Sequence, residues 1–243
     1  VVDATVAASC ALFRRVEALD LSRCRRVTDA AGPAVASLAG LRHLALVRTQ
    51  VRDLGPIAAG CRALASLGCE FTPVADLAPL AGARALTSLN LTATPVRDLG
   101  PLASCPALET LVLTACANVT DATALGAMPA LRALTMNNVP LADARPLARA
   151  RALTSLDLSG TRVGAVPDIA GLRSLSVSGT RVASLEPCAG MPHLAFLFAA
   201  GTQVCRRARE PGCMGGCGGG WTRPRPRVRP HPLSRASPPT TPH

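Results

Sequence analysis

One phrase recurs along most of this chain, and its period of about 22 residues decides what the chain can become. Copies open at Leu41, Leu64, Leu86, Leu108, Leu131, Leu153, Leu172 and Leu194, with a further start at Val16, so that eight to nine units run to about Val204. The unit at Leu86 is the clearest: Leu86, Leu89, Leu91, Val96, Leu99 and Leu102 fall at offsets 0, 3, 5, 10, 13 and 16. The pair at offsets 3 and 5 has the period-2 alternation of a short strand with one buried face. Six apolar side chains at about 1.5–3 kcal/mol each roughly balance the ordering entropy of a single unit. A unit therefore cannot fold alone, and stacking on neighbours has to seal its open sides. The period predicts one cooperative solenoid.

The strand-and-turn pattern resembles the leucine-rich repeat family. Asp98-Leu-Gly-Pro101-Leu102, echoed at Asp53 to Ile57 and Asp76 to Leu80, is similar to the 22-residue subclass of bacterial internalins and of a regulatory subunit of protein phosphatase 1. The stretches Leu21 to Asp29 and Leu113 to Asp121 resemble the cysteine-containing subclass associated with F-box proteins. The resemblance implies an α/β horseshoe with parallel strands on the concave face and short helical or 3-10 turns on the convex face. It also implies a protein-binding scaffold; a substrate-recruiting adaptor of a ubiquitin ligase and a surface or secreted adhesion protein are the alternatives. Many family members carry Asn at offset 8; here Thr49, Thr72, Thr94, Thr161, Thr180 and Thr202 stand there, with Cys24 and Cys116 in the two variant units. A hydroxyl makes fewer bonds than an amide, which predicts a ladder of modest strength.

A column of aspartates (Asp29, Asp53, Asp76, Asp98, Asp121 and Asp143) precedes the convex segments. Asp is a preferred helix N-cap, and Pro56, Pro79, Pro101 and Pro146 suit a first turn where a missing N–H costs little. The column reads as capping. One carboxylate per turn does not converge on a metal.

The two ends depart from the pattern. Asp3 and Cys10 have the spacing of Asp98 and Cys105, so residues 1–12 read as the tail of a preceding unit, followed by an insertion at residues 13–15. Residues 1–204 form the predicted repeat domain. Residues 205–243 are rich in Gly, Arg and Pro, a composition that cannot bury a core and predicts a disordered tail. The net charge of +11 divides unevenly: 18 Arg face 14 acids in residues 1–204, and 8 Arg face 1 acid beyond. Only the tail has the charge for nucleic-acid contact, and that contact is weak; 2% aromatic content and no Tyr argue against base stacking.

Offsets 2, 4, 6 and 7 pave the concave face, mostly with small neutral residues. Larger or charged groups gather towards the ends, among them His43, Arg48, Glu70 and Phe71 early, and Phe196 and Phe198 late. Aromatic and Arg side chains anchor interfaces, so these six are the candidate partner-binding residues, with another protein as the partner. Packing of Phe196 and Phe198 against a cap or the tail is the competing reading. Arg52, Arg97, Arg162 and Arg181 project from the ascending turns, where pairing with the aspartate column is expected.

No catalytic residue, metal ligand set or cofactor motif is assigned. The four histidines are scattered, and the exposed row Ser174, Ser176, Ser178 has none in its unit to act as a base. Cys24, Cys69, Cys116 and Cys188 fall at core or ladder offsets, and Cys10, Cys61 and Cys105 at one late position. Cys205, Cys213 and Cys217 lack a fourth zinc ligand at suitable spacing. So many unpaired core thiols lean towards a reducing, cytoplasmic setting. The sequons at Asn90 and Asn118 matter only in a secreted chain. No membrane segment is visible.

Overall fold

The computed structural model describes residues 2–13, 15–204 and 221–222. Nine three-residue strands form the concave wall: β1 (Ala18–Asp20), β2 (His43–Ala45), β3 (Ser66–Gly68), β4 (Ser88–Asn90), β5 (Thr110–Val112), β6 (Ala133–Thr135), β7 (Ser155–Asp157), β8 (Ser174–Ser176) and β9 (Phe196–Phe198). They pair in parallel, in chain order, in one open sheet. A two-residue strand, β10 (Trp221–Thr222), adds antiparallel to β9 with Thr222 opposite Phe196. The rest of the segment expected to be a disordered tail lies outside the described residues.

Register is uniform because the offset-3 leucine must stay inside. Leu19, Leu44, Leu67, Leu89, Leu111 and Leu134 stand directly opposite one another, continuing through Leu156, Leu175 and Leu197. A slip of one residue would turn every leucine outward. The six predicted core offsets of the Leu86 unit are all buried, and they belong to a single core running the length of the array. The ladder outlasts the strands: Leu46 N–H donates to Gly68 O at 2.7 Å and Arg48 N–H to Glu70 O at 2.9 Å.

The convex side is α2 (Gly32–Ala36) and α3 (Gly55–Gly60) early, then single 3-10 turns such as Ala78–Leu80 and Gly100–Ser104. Residues 1–12, read as a repeat tail, contribute α1 (Val2–Leu12), which packs on α2. Asp3 accepts from Thr28 N–H at 2.9 Å and its hydroxyl at 2.7 Å, just as Asp29 accepts from Arg52 and Asp53 N–H at 2.6 and 2.9 Å.

The aspartate column does not cap in the manner expected. The N-cap residues are Leu54, Leu77, Leu99 and Ala144, without side-chain bonds. The carboxylates sit one residue earlier and accept the N–H two residues on: Asp53 from Gly55 at 2.7 Å, Asp76 from Ala78 at 2.8 Å, Asp98 from Gly100 at 2.8 Å. These are Asx turns, which lead the chain into a helical segment too short to need a full cap. Each aspartate spends one oxygen, Oδ1, on the backbone, and the column does not pair with the row of arginines. Among the described residues, none of Arg52, Arg97, Arg162 and Arg181 lies within 4.0 Å of a carboxylate, and the ion pairs are Arg42–Glu17, Arg132–Glu109 and Arg145–Asp143.

The offset-8 threonines are buried, and each hydroxyl donates to the carbonyl three residues back. Thr49 reaches Leu46 O at 2.8 Å and Thr94 reaches Leu91 O at 2.7 Å. They close their own turn, and Thr94 Oγ1 also meets Cys116 Sγ of the next repeat at 3.7 Å. Cys116 makes the bridge: its thiol donates to Leu91 O of the preceding repeat at 3.0 Å. Cys24, expected in the same core position, is instead exposed. The thiol at this offset packs towards the preceding strand, and among the described residues no strand pairs β1 on that side.

Candidate functional site

Each repeat leaves its strand through one turn. The N–H at offset 8 returns to the carbonyl at offset 5, as from Thr49 to Leu46 and Thr94 to Leu91, both at 3.1 Å. Such a turn needs a positive φ at its third residue. That residue is Arg23, Arg48, Phe71, Ala93, Ala115 or Asn138 in the first six repeats, at φ between 55° and 66°, and Gly160, Gly179 or Gly201 in the last three. Left-handed backbone costs an L-residue about 1 kcal/mol, and glycine nearly nothing. The early repeats therefore hold side chains where the turn itself favours none, on a ridge beside the concave floor.

Four of the six sequence-predicted contact residues come together there. Phe71 is 50% exposed at φ 56°. The guanidinium carbon of Arg48, from the same position one repeat earlier, lies 4.9 Å from its ring centroid. This cation–π contact holds both side chains upright on the ridge. Glu70, one residue before Phe71, accepts from Asn90 Nδ2 at 2.7 Å, and Asn90 Oδ1 in turn accepts from Thr92 N–H and Oγ1 at 3.0 and 2.7 Å. The second Glu70 oxygen, Oε2, is buried with no hydrogen-bond partner. His43 is exposed on β2.

Below the ridge the floor sinks into a depression of about 440 Å³ lined by Asp20, His43, Ala45, Gly68, Glu70 and Asn90 among others. Its cause is local. Asp20, Ala45, Gly68 and Asn90 stand side by side in register across β1 to β4, and the two central residues have almost no side chain. Glu70 folds back into the space, so that a Cβ on Gly68 would meet its Oε2 at 2.8 Å. Sequence reasoning placed Asp20, Ala45, Gly68 and Asn90 on this face without singling them out. The signal was the small pair Ala45 and Gly68 flanked by polar residues at one register.

Phe196 and Phe198 lie apart from this cluster, on β9 at the far end, 53% and 43% exposed. The structure does not bring them to the early group. Beside them Leu197 is only partly buried, opposite Trp221 of β10.

The chemistry of the remaining groups is structural. Burial pushes the Cys61 thiol up to about 11, with a smaller push from Cys10, and raises Cys69, Cys105, Cys116 and Cys188 as well. Hydrogen bonds from Ser22 hold Asp20 below the ordinary carboxylate value. Among the described residues no three His, Cys, Asp or Glu side chains converge on a metal site, and no helix is long and apolar enough to cross a membrane.

No family model matches the chain, and no curated protein matches it in sequence. Solved structures do. An internalin, InlF of Listeria monocytogenes, aligns with a TM-score of 0.63 at 19% identity over 83% of this chain and 68% of the internalin. Internalin C2 of the same organism gives 0.57 at 18% identity, over 80% and 75%. A TDR receptor gives 0.66 at 15% identity, over 80% of this chain but only 36% of the receptor. At such identities the likeness is one of fold, and it agrees with the period, the parallel register and the convex turns: the chain is a leucine-rich repeat solenoid.

Proposed function

We propose that the chain is a non-enzymatic protein-binding scaffold whose partner docks on the early concave face, across β1 to β4, and on the ridge of Arg48 and Phe71. The observation that carries this reading is Phe71. A half-exposed aromatic ring at a left-handed backbone position lowers stability twice, once through strain and once through exposed apolar surface. Later repeats make the same turn with glycine, so the fold does not require the ring. Aromatic and Arg side chains on a rigid strand-bound ridge are the usual anchors of an interface. The internalins and the receptor that share the fold lend support to the same class of function. Phe196 and Phe198 form a second, separate apolar pair that serves the edge of the sheet in this reading.

The test is the substitution Phe71→Gly. It removes the ring and relieves the turn, so stability stays within about 1 kcal/mol of the parent chain. Proteins captured by the parent chain and lost by this variant, while Phe196→Ala still captures them, support the early face. Capture that survives Phe71→Gly and fails with Phe196→Ala moves the site to β9.

A further inference from the structure

The floor and the ridge differ in charge. Every basic residue of this chain is Arg, 26 in all, yet none occupies offset 2, 4 or 6 on any of the nine parallel strands. Those positions carry Asp20, Glu70 and Asp157. Two of the three carboxylates border the depression of β1 to β4, with His43 on the strand between them and Asn90 beyond Glu70 on β4. No arginine lines it; Arg23 and Arg48 stand on the left-handed ridge, and the guanidinium of Arg48 lies over Phe71. A chain with a net charge of +11 thus keeps an acidic hollow on its binding face.

Glu70 makes the hollow specific. One of its oxygens accepts from Asn90, and the other lies out of water with no donor. A buried carboxylate oxygen left unpaired is costly, and a donor arriving from the concave side removes that cost with no more than a rotamer change. The donor has room: Ala45 and Gly68 leave about 440 Å³ open between the two carboxylates. The register row from Asp20 to Asn90 spans three strand spacings, about 14 Å, enough for an extended side chain to lie across it.

We infer that this hollow receives an arginine side chain from the partner protein, its guanidinium set between Glu70 and Asp20 while neighbouring partner residues cover Phe71. The inference rests on the docking face proposed above and adds the chemistry of what enters it. A guanidinium suits the site better than an ammonium because its planar fork donates to a carboxylate through two N–H groups at once.

The probe is N-acetyl-arginine amide, titrated into the full chain labelled with nitrogen-15, with N-acetyl-citrulline amide as the neutral isostere. Amide shifts centred on Ala45, Gly68 and Asn90 are expected with arginine and not with citrulline. Glu70→Gln, which keeps an acceptor for Asn90, and Asp20→Asn each weaken binding about tenfold or more. Asp157→Asn on β7 leaves it unchanged. Equal responses to arginine and citrulline, an affinity untouched by both variants, or no response from the parent chain overturns the inference. A captured partner lost by Phe71→Gly but retained by the Glu70→Gln, Asp20→Asn double variant leaves the docking face standing and removes only the arginine. A partner indifferent to all three removes both.

Discussion

The first six repeats and the last three make the same turn in two ways. In the late repeats Gly160, Gly179 and Gly201 meet the positive φ without strain and carry no side chain at that position. In the early repeats the same backbone carries Arg23, Arg48, Phe71, Ala93, Ala115 and Asn138. Identical geometry removes the fold as the explanation for the difference. At Arg48 and Phe71 the retained side chains touch each other, and Glu70, next to Phe71 in the chain, lines the depression of the floor.

The comparison can be broken at its base by disturbing what the two halves share. Leu111→Ala, at a fully buried position in the middle of the sheet, is expected to cost about 3 kcal/mol in denaturant unfolding. The same change at Leu197, partly buried at the β9 end, costs clearly less. Equal losses would mean that the β9 end is packed as tightly as the middle, and separate transitions would mean that the array does not unfold as one cooperative unit.

The turns come next. Gly160→Ala places a Cβ 2.3 Å from Asn138 Oδ1 at φ 70° and is expected to destabilise by about 1–2 kcal/mol. Ala93→Gly runs the other way and gains at most about 1 kcal/mol, reduced by the freer unfolded chain. A glycine that improves Ala93 while Gly160 tolerates alanine freely would contradict the shared turn. Thr94→Val removes the bond to Leu91 O and leaves that carbonyl to Cys116 and the Thr94 N–H alone, at about 1 kcal/mol.

Thiol reactivity separates the edge from the interior. Cys24 is exposed, whereas Cys10, Cys61, Cys69, Cys105, Cys116 and Cys188 are buried with thiols pushed up by that burial. Mass-mapped alkylation of the native chain should modify Cys24 well before these six. Simultaneous modification would show that the core opens on the labelling time scale.

The smallest effect is at the convex surface. Two Arg145 nitrogens bond Asp143, and the pair holds that carboxyl at about 2, below the usual 3.8. A depressed carboxylate stabilises the folded state above its unfolded value and loses that contribution as pH falls through the folded one. Asp143→Asn should therefore flatten a shallow loss of stability between pH 3.8 and about 2, and salt should mask it.

Much of this was legible beforehand, for a definite reason. Leu89, Leu91, Val96 and Leu99 declare their offsets because a solenoid repeats one environment, and each copy corroborates the others. The left-handed column was legible only in part. Gly160, Gly179 and Gly201 share an offset and hint at a positive φ, but Arg48 and Phe71 at that offset hide it, since nothing in their chemistry calls for such a backbone. Cys24 and Cys116 look alike in sequence and diverge in burial because, among the described residues, Cys116 has a paired strand behind it and Cys24 does not. The pairing of Glu70 with Asn90 depended on the emptiness above Gly68, which arises from register between strands 22 residues apart. The six candidate contacts split for a similar reason: four stand on adjacent repeats, while Phe196 and Phe198 lie six strands from β3.

The most direct measurement pairs stability with partner capture on the single variant Phe71→Gly. Unchanged or slightly raised stability together with loss of the captured partner places recognition on the strained ridge. A partner retained in full by a chain of unchanged stability would contradict it, and Phe71 would then be no more than an exposed ring in an unfavourable turn.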